Sequence, residues 1–412
     1  MVAALNKDEM LDTEVTRTIL LNTGTVEQKR AEIKAYLQQT FLLEEHLYQT
    51  LNHDDVFYLR AERLRHPLVF YYGHTAAFFI NKLSLASLVS QRVNPRFESI
   101  FAIGVDEMSW DDLDEKNYDW PKIDEVRQYR QTVLELLNSL IDTLELNLPI
   151  TWDSEFWPIL MGIEHQRIHI ETSSAIIRQM PLKHLQSHPT WTVCPHHGGA
   201  PVNQLIPVAA GQVTLGKERD SNTFGWDCEY GEKKSDVEAF SASKYLVSNA
   251  EFLVFVQEGG YHKNKYWTDE GWQWVKYIKP EHPLFWRKRE DTYLLRTLLA
   301  EQEMPWNWPV EINYLEAKAF CNWLSEKTAK PIRLPTEDQW QHLHTTHSVP
   351  NQTEWDIAPG NINLEHWASA CPVDHFKFGE FYDLIGNAWQ WTETPISGLS
   401  GFEVHPLYDD FS

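Results

Sequence analysis

Apolar side chains recur every three or four residues through much of residues 1–183, a period typical of helices with one buried face. Four stretches predict helices: from Thr25 to about Leu51, from His66-Pro67 to about Gln91, from Pro121 to about Leu144, and from Ser154 to about Met180. Proline suits the first turn of a helix, and Ser154 is the predicted N-cap of the fourth. The pattern predicts a bundle of four amphipathic helices.

The pattern changes beyond residue 183. Residues 184–206 are rich in proline, glycine and histidine and are predicted to be a linker. Residues 207–412 combine short alternating stretches, aromatic-rich loops and helices from Asn249 to about Glu258 and from Tyr314 to about Lys327. A short helix is predicted to start at Thr336, and Gly386-Asn387 is predicted to form a tight turn before buried tryptophans. The predicted fold class is α+β, with domains at 1–183 and 207–412.

The composition of the chain limits the classes of molecule that it is expected to bind. The chain has 412 residues and a formal net charge of −23, which argues against nucleic acid and anionic membrane surfaces as partners. There is no apolar run of about 18 residues and no signal-peptide pattern. The four cysteines are far apart, which favours reduced thiols and a cytoplasmic location. Small polar ligands are left as candidates.

The candidate chemistry is carried by histidines. His165 and His169 are four residues apart in one predicted helix, so they share a face. His74 is a polar residue in an otherwise apolar predicted helix. A bundle that packs these helices together brings three neutral imidazoles to one point. Zinc, copper and iron all accept imidazole, and three nitrogens leave about three positions open on an octahedral ion. The spacing alone does not choose between a zinc hydrolase and an oxygen-dependent iron enzyme.

The same residues are also compatible with other roles. The histidine pair alone is also compatible with ordinary core histidines at chance spacing. Glu171 points away from the His165 and His169 face, which favours an outer or structural role. Gln166 stands where a zinc peptidase of the His-Glu-x-x-His type has its glutamate, which argues against that class. Cys194, with His196 and His197, is more typical of a linker than of a second metal cluster.

Several longer strings carry a family resemblance. Residues 309–317, 333–340 and 383–393 resemble the formylglycine-generating-enzyme-like domain, a variant of the C-type-lectin fold. Together with residues 66–75, 94–99, 104–112, 171–174 and 389–395, they make nearly the whole chain similar to the nonheme-iron sulfoxide synthases of thiol-histidine biosynthesis, and most similar to the ovothiol branch. The resemblance implies a DinB-like four-helix bundle followed by the formylglycine-generating-enzyme-like domain.

The resemblance also implies a chemistry. It makes His74, His165 and His169 ligands of Fe(II), in an enzyme that couples L-cysteine to the imidazole ring of L-histidine with O2. Tyr408 aligns with the family's active-site tyrosine, which places a proton donor near the metal. Ile168 occupies a position that is often glutamine in ergothioneine-pathway relatives, and this favours histidine over hercynine.

A second departure from the family pattern, at the end of the chain, leaves alternatives open. The family continues with further strands beyond the last residue, so the C-terminal domain is expected to lack its final strands. The alternatives are therefore an ergothioneine-type or selenoneine-type synthase that uses hercynine, and an inactive binding fragment. A zinc-dependent thiol transferase is disfavoured, because it leaves the lectin-like domain unexplained. The sequence predicts no oligomeric state.

Overall fold

The computed structural model describes residues 17–102, 118–350 and 355–408, so the quoted stretch 104–112 and the outer ends of the predicted domains lie outside the described residues. The α-helices there are Val26–Tyr48 (α1), Leu68–Leu85 (α2), Pro95–Ile100 (α3), Ile123–Thr143 (α4), Trp157–Ile177 (α5), Asn249–Gln257 (α6), Asp269–Ile278 (α7), Tyr314–Thr328 (α8) and Glu337–Thr346 (α9). Among these helices, none combines the length and apolarity needed to cross a bilayer.

Short strands form small antiparallel sheets in the second half of the described chain. They are Leu205–Val208 (β1) paired with Phe240–Ser243 (β4), Gly211–Leu215 (β2) with Lys233–Val237 (β3), Trp286–Arg289 (β5), Thr292–Arg296 (β6) and Glu301–Glu303 (β7) in one sheet, and Lys377–Phe378 (β8) with Phe381–Tyr382 (β9). A helical first half followed by small sheets and helices confirms the predicted α+β class.

The four long helices of the first half pack on one another. α2 contacts both α5 and α4, and α1 contacts the same two helices. Their buried faces form one hydrophobic core, to which Phe41, Phe70, Val133 and Ile163 contribute. Thr25 starts α1 with a capping box, because its side chain accepts from the backbone of Gln28 and the Gln28 side chain returns to the backbone of Thr25. The apolar stripes thus fold into the predicted packed helices.

Two predicted helix boundaries are wrong. α2 ends at Leu85 rather than near Gln91, because Ser87 adopts a φ of 59° and the N–H of Leu88 returns to the carbonyl of Leu83. α5 begins at Trp157, three residues after the predicted cap. The hydroxyl of Ser154 instead accepts from the N–H of Thr151, at 2.8 Å, and closes the turn before the helix.

A glycine lets α2 and α5 approach closely. A Cβ built on Gly162 of α5 would lie 2.1 Å from Cε1 of Phe79 on α2, far inside van der Waals contact. The Phe79 side chain is fully buried, so the ring has little room to move. Gly162 lies one turn before His165, so this close contact sets the separation of the helices next to the candidate ligands.

Gly162→Ala is therefore expected to lower the free energy of unfolding by about 1–2 kcal/mol. Overpacking a core typically costs about 1–3 kcal/mol, and the 2.1 Å approach to Phe79 puts this site in the upper part of that range. The gain in helix propensity offsets about 1 kcal/mol of this cost. Urea unfolding measures the difference. Gly199→Ala is the matched control, because a Cβ on Gly199 meets nothing within 4 Å. Equal stability of the two variants would contradict the close packing of α2 on α5.

The second half has its own core, built largely from aromatic rings. Trp286 and Trp308 are fully buried in it, and Phe252 stacks on Phe320 with ring centroids 5.4 Å apart. The short helix predicted to start at Thr336 is α9, and Thr336 is its N-cap, since its hydroxyl accepts from the N–H of Gln339. The sequence does not predict α7 or the sheet of β5, β6 and β7, because these elements are short and lie between loops.

The predicted burial of the tryptophans after Gly386-Asn387 is wrong. The turn is present, with φ values of 78° and 65°. However, Trp389 is 87% exposed and Trp391 is 48% exposed. Their indole N–H groups are nevertheless used: Trp389 donates to the carboxylate of Glu171 on α5, and Trp391 donates to the carbonyl of Ile312. These rings therefore lie on the surface and make polar contacts instead of filling the core.

Arg296 of β6 fastens the end of α5 to the second half. Its guanidinium donates to the carbonyls of Arg178 and Met180, at 3.1 Å and 3.0 Å, directly beyond the helix. Arg178 donates in return to the carbonyl of Arg296, at 2.7 Å, and forms an ion pair with Glu311. A cation at a helix C-terminus is favourable because the last carbonyls carry partial negative charge. The helix with two of the candidate ligands is thus held against the second half.

Candidate metal centre

The structure brings together the three histidines that the sequence selects. His74 lies in the middle of α2, and His165 and His169 lie one turn apart on the face of α5 that packs against it. One ring nitrogen of each lies within 4.8 Å of the corresponding nitrogens of the other two. Among the residues that the structure describes, these three histidines form the group whose side-chain types and spacing suit a metal ion. Its members come from two helices whose separation is fixed by packing.

The spacing of the nitrogens fits a shared ion. Nε2 of His74 lies 3.3 Å from Nε2 of His165. Two ligand atoms each about 2.1 Å from one metal ion are about 3.0 to 3.4 Å apart for angles between 90° and the tetrahedral value. The two imidazoles therefore already have the separation that a common metal requires. No carboxylate belongs to the group among the described residues, so the donor set consists of nitrogen only.

Burial keeps the three imidazoles neutral, which is the form that binds metals. Their exposed fractions are 4%, 2% and 7% for His74, His165 and His169. Burial lowers the pKa of His74 to about 4, although the hydrogen bond to the Phe101 carbonyl opposes the shift. Burial also places the pKa values of His165 and His169 well below the ordinary value, with a further contribution from the neighbouring histidines. Near neutral pH each ring presents a lone pair.

The ring orientation of His74 is fixed from behind. Its Nδ1 donates to the carbonyl of Phe101, at 2.6 Å, so the proton is on Nδ1 and the lone pair is on Nε2, towards His165. Such a bond is the usual companion of a metal-binding histidine. The Nδ1 atoms of His165 and His169 are buried and have no hydrogen-bond partner among the described residues. These two rings are instead oriented by packing.

Aromatic rings enclose the group. Phe78 stacks flat on His165, with centroids 3.6 Å apart and an angle of 8° between the planes. Phe70 stacks on His74 at 5.4 Å, and Tyr71 lies 6.3 Å from His169. A low-dielectric wall of this kind excludes water and strengthens electrostatic interactions inside the site.

Tyr408, which was selected only through the family resemblance, lies beside the same group. Its ring is perpendicular to that of Phe78 at 5.2 Å and to that of His165 at 6.2 Å. The side chain is 3% exposed, although it lies near the end of the described chain. It also lines a narrow cleft with residues of both halves: Trp157, Met161, Gly225, Trp226, Asp227 and His405. The second half thus contributes a phenol to the histidine group.

Sequence reasoning missed Phe78 and Lys82. Both follow His74 at steps of four residues, so they lie along one face of α2. The ammonium group of Lys82 lies 4.2 Å from the ring centroid of Tyr408 and 5.1 Å from that of Phe78. The spacing of four residues already indicated that Phe78 and Lys82 share a face with His74. A lysine near the end of a helix is common, however, and does not by itself indicate a site. The face of α2 therefore carries a ligand candidate, an aromatic wall and a cation in order.

The other sequence candidates lie elsewhere. Glu171 is exposed and accepts the hydrogen bond from Trp389, in keeping with the predicted structural role. Cys194 is buried, and its thiol contacts the carbonyl of His196 at 3.9 Å. Neither residue joins the histidine group of the described chain.

A family model described as sulfatase-modifying factor enzyme 1-like domain matches residues 192–403, just over half of the chain. The match begins inside the predicted linker and ends shortly before Tyr408. It confirms the prediction of a formylglycine-generating-enzyme-like domain in the C-terminal part.

Three relatives extend the similarity. The chain is 26% identical over 297 residues to the hercynine oxygenase of Mycolicibacterium thermoresistibile, covering 67% of this chain and 61% of that protein. It is 27% identical over 199 residues to the hercynine oxygenase of Mycobacterium tuberculosis, covering 43% and 42%. It is 23% identical over 404 residues to ergothioneine biosynthesis protein 1 of Schizosaccharomyces pombe, covering 88% of this chain and 47% of that protein.

These matches reach beyond the second half, since the yeast relative aligns with 88% of the chain. The chain spans between 42% and 61% of the length of these three relatives. Two of these relatives are named as oxygenases, which belong to the oxidoreductase class that the sequence predicts. The names refer to hercynine and ergothioneine, and the ovothiol branch is not among them.

Proposed function

The chain belongs to the sulfatase-modifying factor enzyme 1-like family, and from that premise we propose that it is an iron(II)- and O2-dependent sulfoxide synthase. In the proposed reaction a thiol, an imidazole and O2 give a carbon–sulfur bond, a sulfoxide and one water. O2 takes up four electrons, two from formation of the carbon–sulfur bond and two from oxidation of sulfur. The observation that carries the proposal is the convergence of three buried, neutral imidazoles beside Tyr408.

We propose His74, His165 and His169 as the ligands of the iron. Iron(II) held by three imidazoles keeps about three positions open, enough to bind substrates and activate O2. Zinc accepts the same ligands, so the choice of iron is supported by the oxygenase relatives and not by the nitrogens themselves. We also propose that the bundle is DinB-like, which the packing of α1, α2, α4 and α5 supports. The domain boundaries at residues 183 and 207 belong to the same proposal.

The side chains and carbonyl around the proposed metal site are proposed to orient its ligands and to supply a proton to the reaction. The Phe101 carbonyl keeps the proton of His74 on Nδ1, which leaves Nε2 as the donor atom. Phe78 covers one face of His165 and excludes water from that side. Tyr408 is proposed to donate a proton from its hydroxyl, and the ammonium group of Lys82 over its ring is proposed to stabilise the phenolate that remains. Ordered binding of both substrates beside the metal supplies much of the rate gain.

We propose hercynine as the acceptor, because two relatives are named hercynine oxygenases and a third is named for ergothioneine biosynthesis. L-Histidine, the acceptor that the sequence predicts, is the second candidate. It is favoured by Ile168, an apolar residue directly before the proposed ligand His169. The proposed thiol is L-cysteine.

An oxygen-uptake assay tests the function and the acceptor together. Iron-loaded protein is expected to consume O2 only when cysteine and the imidazole substrate are both present, with kcat/KM at least about 10-fold higher for hercynine than for histidine. Mass spectrometry identifies the sulfoxide product. A higher kcat/KM with histidine would make histidine the acceptor, and the reaction would then be of the ovothiol type. No oxygen uptake with either acceptor would refute the proposed function.

A further inference from the structure

A buried ion pair lies between the helices next to the histidine group. Glu44 of α1 and Arg130 of α4 are 0% and 2% exposed, and Nη2 of Arg130 lies 2.6 Å from Oε2 of Glu44. Burying a charge pair has a large desolvation penalty, and apolar replacements are often neutral or stabilising. Stability alone is thus a weak reason for charges at this place.

The pair is bonded to both helices that carry the histidines. Glu44 accepts from the amide of Gln166 on α5, at 2.7 Å, and from the hydroxyl of Thr75 on α2, at 3.0 Å. Arg130 donates to that hydroxyl at 2.8 Å and to the carbonyl of Tyr72 at 2.6 Å. Glu44, Thr75, Arg130 and Gln166 form one network, here called the Glu44 network, which joins α1, α2, α4 and α5.

Two members of the network directly follow proposed ligands in sequence. Thr75 follows His74, and Gln166 follows His165. Neighbouring side chains on a helix differ by about 100° in direction, so fixing one fixes the other. Rotating a helix by about 10° moves an atom about 6 Å from its axis by about 1 Å. Metal–ligand distances tolerate only about 0.2 Å.

The network is suited to prevent such rotation. Gln166 and Thr75 bond to the same carboxylate from two helices, so α2 and α5 cannot turn independently without breaking one of these bonds. Burial works against the charge of Arg130, but the carboxylates of Glu44 and Glu45 raise its pKa above the ordinary value. The guanidinium therefore keeps its charge and its fixed fork of donors.

We propose that the Glu44 network acts as a set of positioning residues, which lock the rotation of α2 and α5 so that the proposed ligands meet at one point. The inference rests on the proposed metal site. It adds a role to residues that touch neither metal nor substrate.

The test compares stability with metal geometry. In the variant E44M/T75V/R130M/Q166L the network is replaced by apolar side chains of similar size. The probe is Co2+ alone, added anaerobically, with its dissociation constant and visible absorption spectrum as readouts. We expect Co2+ affinity to fall by about 10–100-fold, as for other groups that orient metal ligands, with an altered spectrum. The thermal midpoint is not expected to fall.

Two further variants keep the outcome decisive. Gln166→Met removes one hydrogen bond to Glu44 and is expected to weaken Co2+ binding several-fold. If the fourfold variant does not fold, this single variant decides whether the inference holds. Leu137→Ala is the matched control, because Leu137 is fully buried two turns from Arg130 on α4. It loosens the core without touching the network, and its Co2+ spectrum should match that of the wild type.

The outcomes separate the two proposals. If the wild-type protein does not bind Co2+, the proposed metal site fails, whatever the network does. If the wild-type protein binds Co2+ and a folded network variant binds it equally well with the same spectrum, the positioning role is overturned. If Leu137→Ala weakens binding as much as the network variants do, general loosening explains the effect and the inference is also overturned.

Discussion

His165→Ala is expected to lower metal affinity by more than about 100-fold and to reduce oxygen uptake to background. Its Nε2 lies 3.3 Å from that of His74, and no fourth histidine, cysteine or carboxylate joins the group within the described residues to replace it. Loss of a residue that merely orients a metal ligand costs about 10–100-fold, so loss of a ligand costs more. Metal content after dialysis and an iron titration measure the effect.

His342→Ala is the matched control for this experiment. His342 is also buried, at 8% exposure, but it bonds to the carbonyl of Ala209 in the second half. Its replacement should lower stability and leave the metal content unchanged. Full metal content in His165→Ala would show that the ion is bound elsewhere and would contradict the proposed ligand set.

Tyr408→Phe is expected to lower kcat for sulfoxide formation by about 100-fold to 10,000-fold, the usual contribution of a positioned proton donor. The ring contacts with Phe78 and His165 are retained, because only the hydroxyl is lost. Metal affinity should therefore be unchanged. Steady-state oxygen uptake with both substrates, combined with an iron titration, separates an effect on chemistry from an effect on metal loading.

Tyr48→Phe provides a control of equal burial. Tyr48 and Tyr408 are each 3% exposed, but the Tyr48 ring packs on Phe57 and Tyr72, and its hydroxyl donates to Ser173, at 3.2 Å, one turn beyond His169 on α5. Its loss should reduce the free energy of unfolding by about 1 kcal/mol and leave kcat unchanged. If Tyr408→Phe retains the wild-type kcat, the proton-donor role is wrong, even with the ring in place.

The histidine group was predictable because its signal is local. A spacing of four on one helix and a polar residue in an apolar helix both follow from the helical period. One member of the Glu44 network was also predictable, because Arg130 follows Val126 by four residues and therefore lies on the buried side of α4. A charged residue at a core position indicates a buried partner, but the sequence does not say which acid provides it.

The contribution of Tyr408 could not be derived from spacing. It approaches His165 through contacts between segments far apart in the chain, and only the family resemblance selected it. The same limit explains the error over Trp389, which lies on the surface and donates to Glu171 of a helix far away in the sequence. Local periodicity predicts helices and the faces they bury, whereas contacts between the two halves depend on tertiary packing.

The order of these groups along the chain has a consequence for maturation. All three imidazoles are synthesised within the first 169 residues, and Tyr408 follows more than half a chain length later. During translation, a nascent first half that folds early already holds a complete nitrogen trio while the phenol is still unmade. The proposed ligand set is thus complete in the nascent chain before the proposed proton donor has been made.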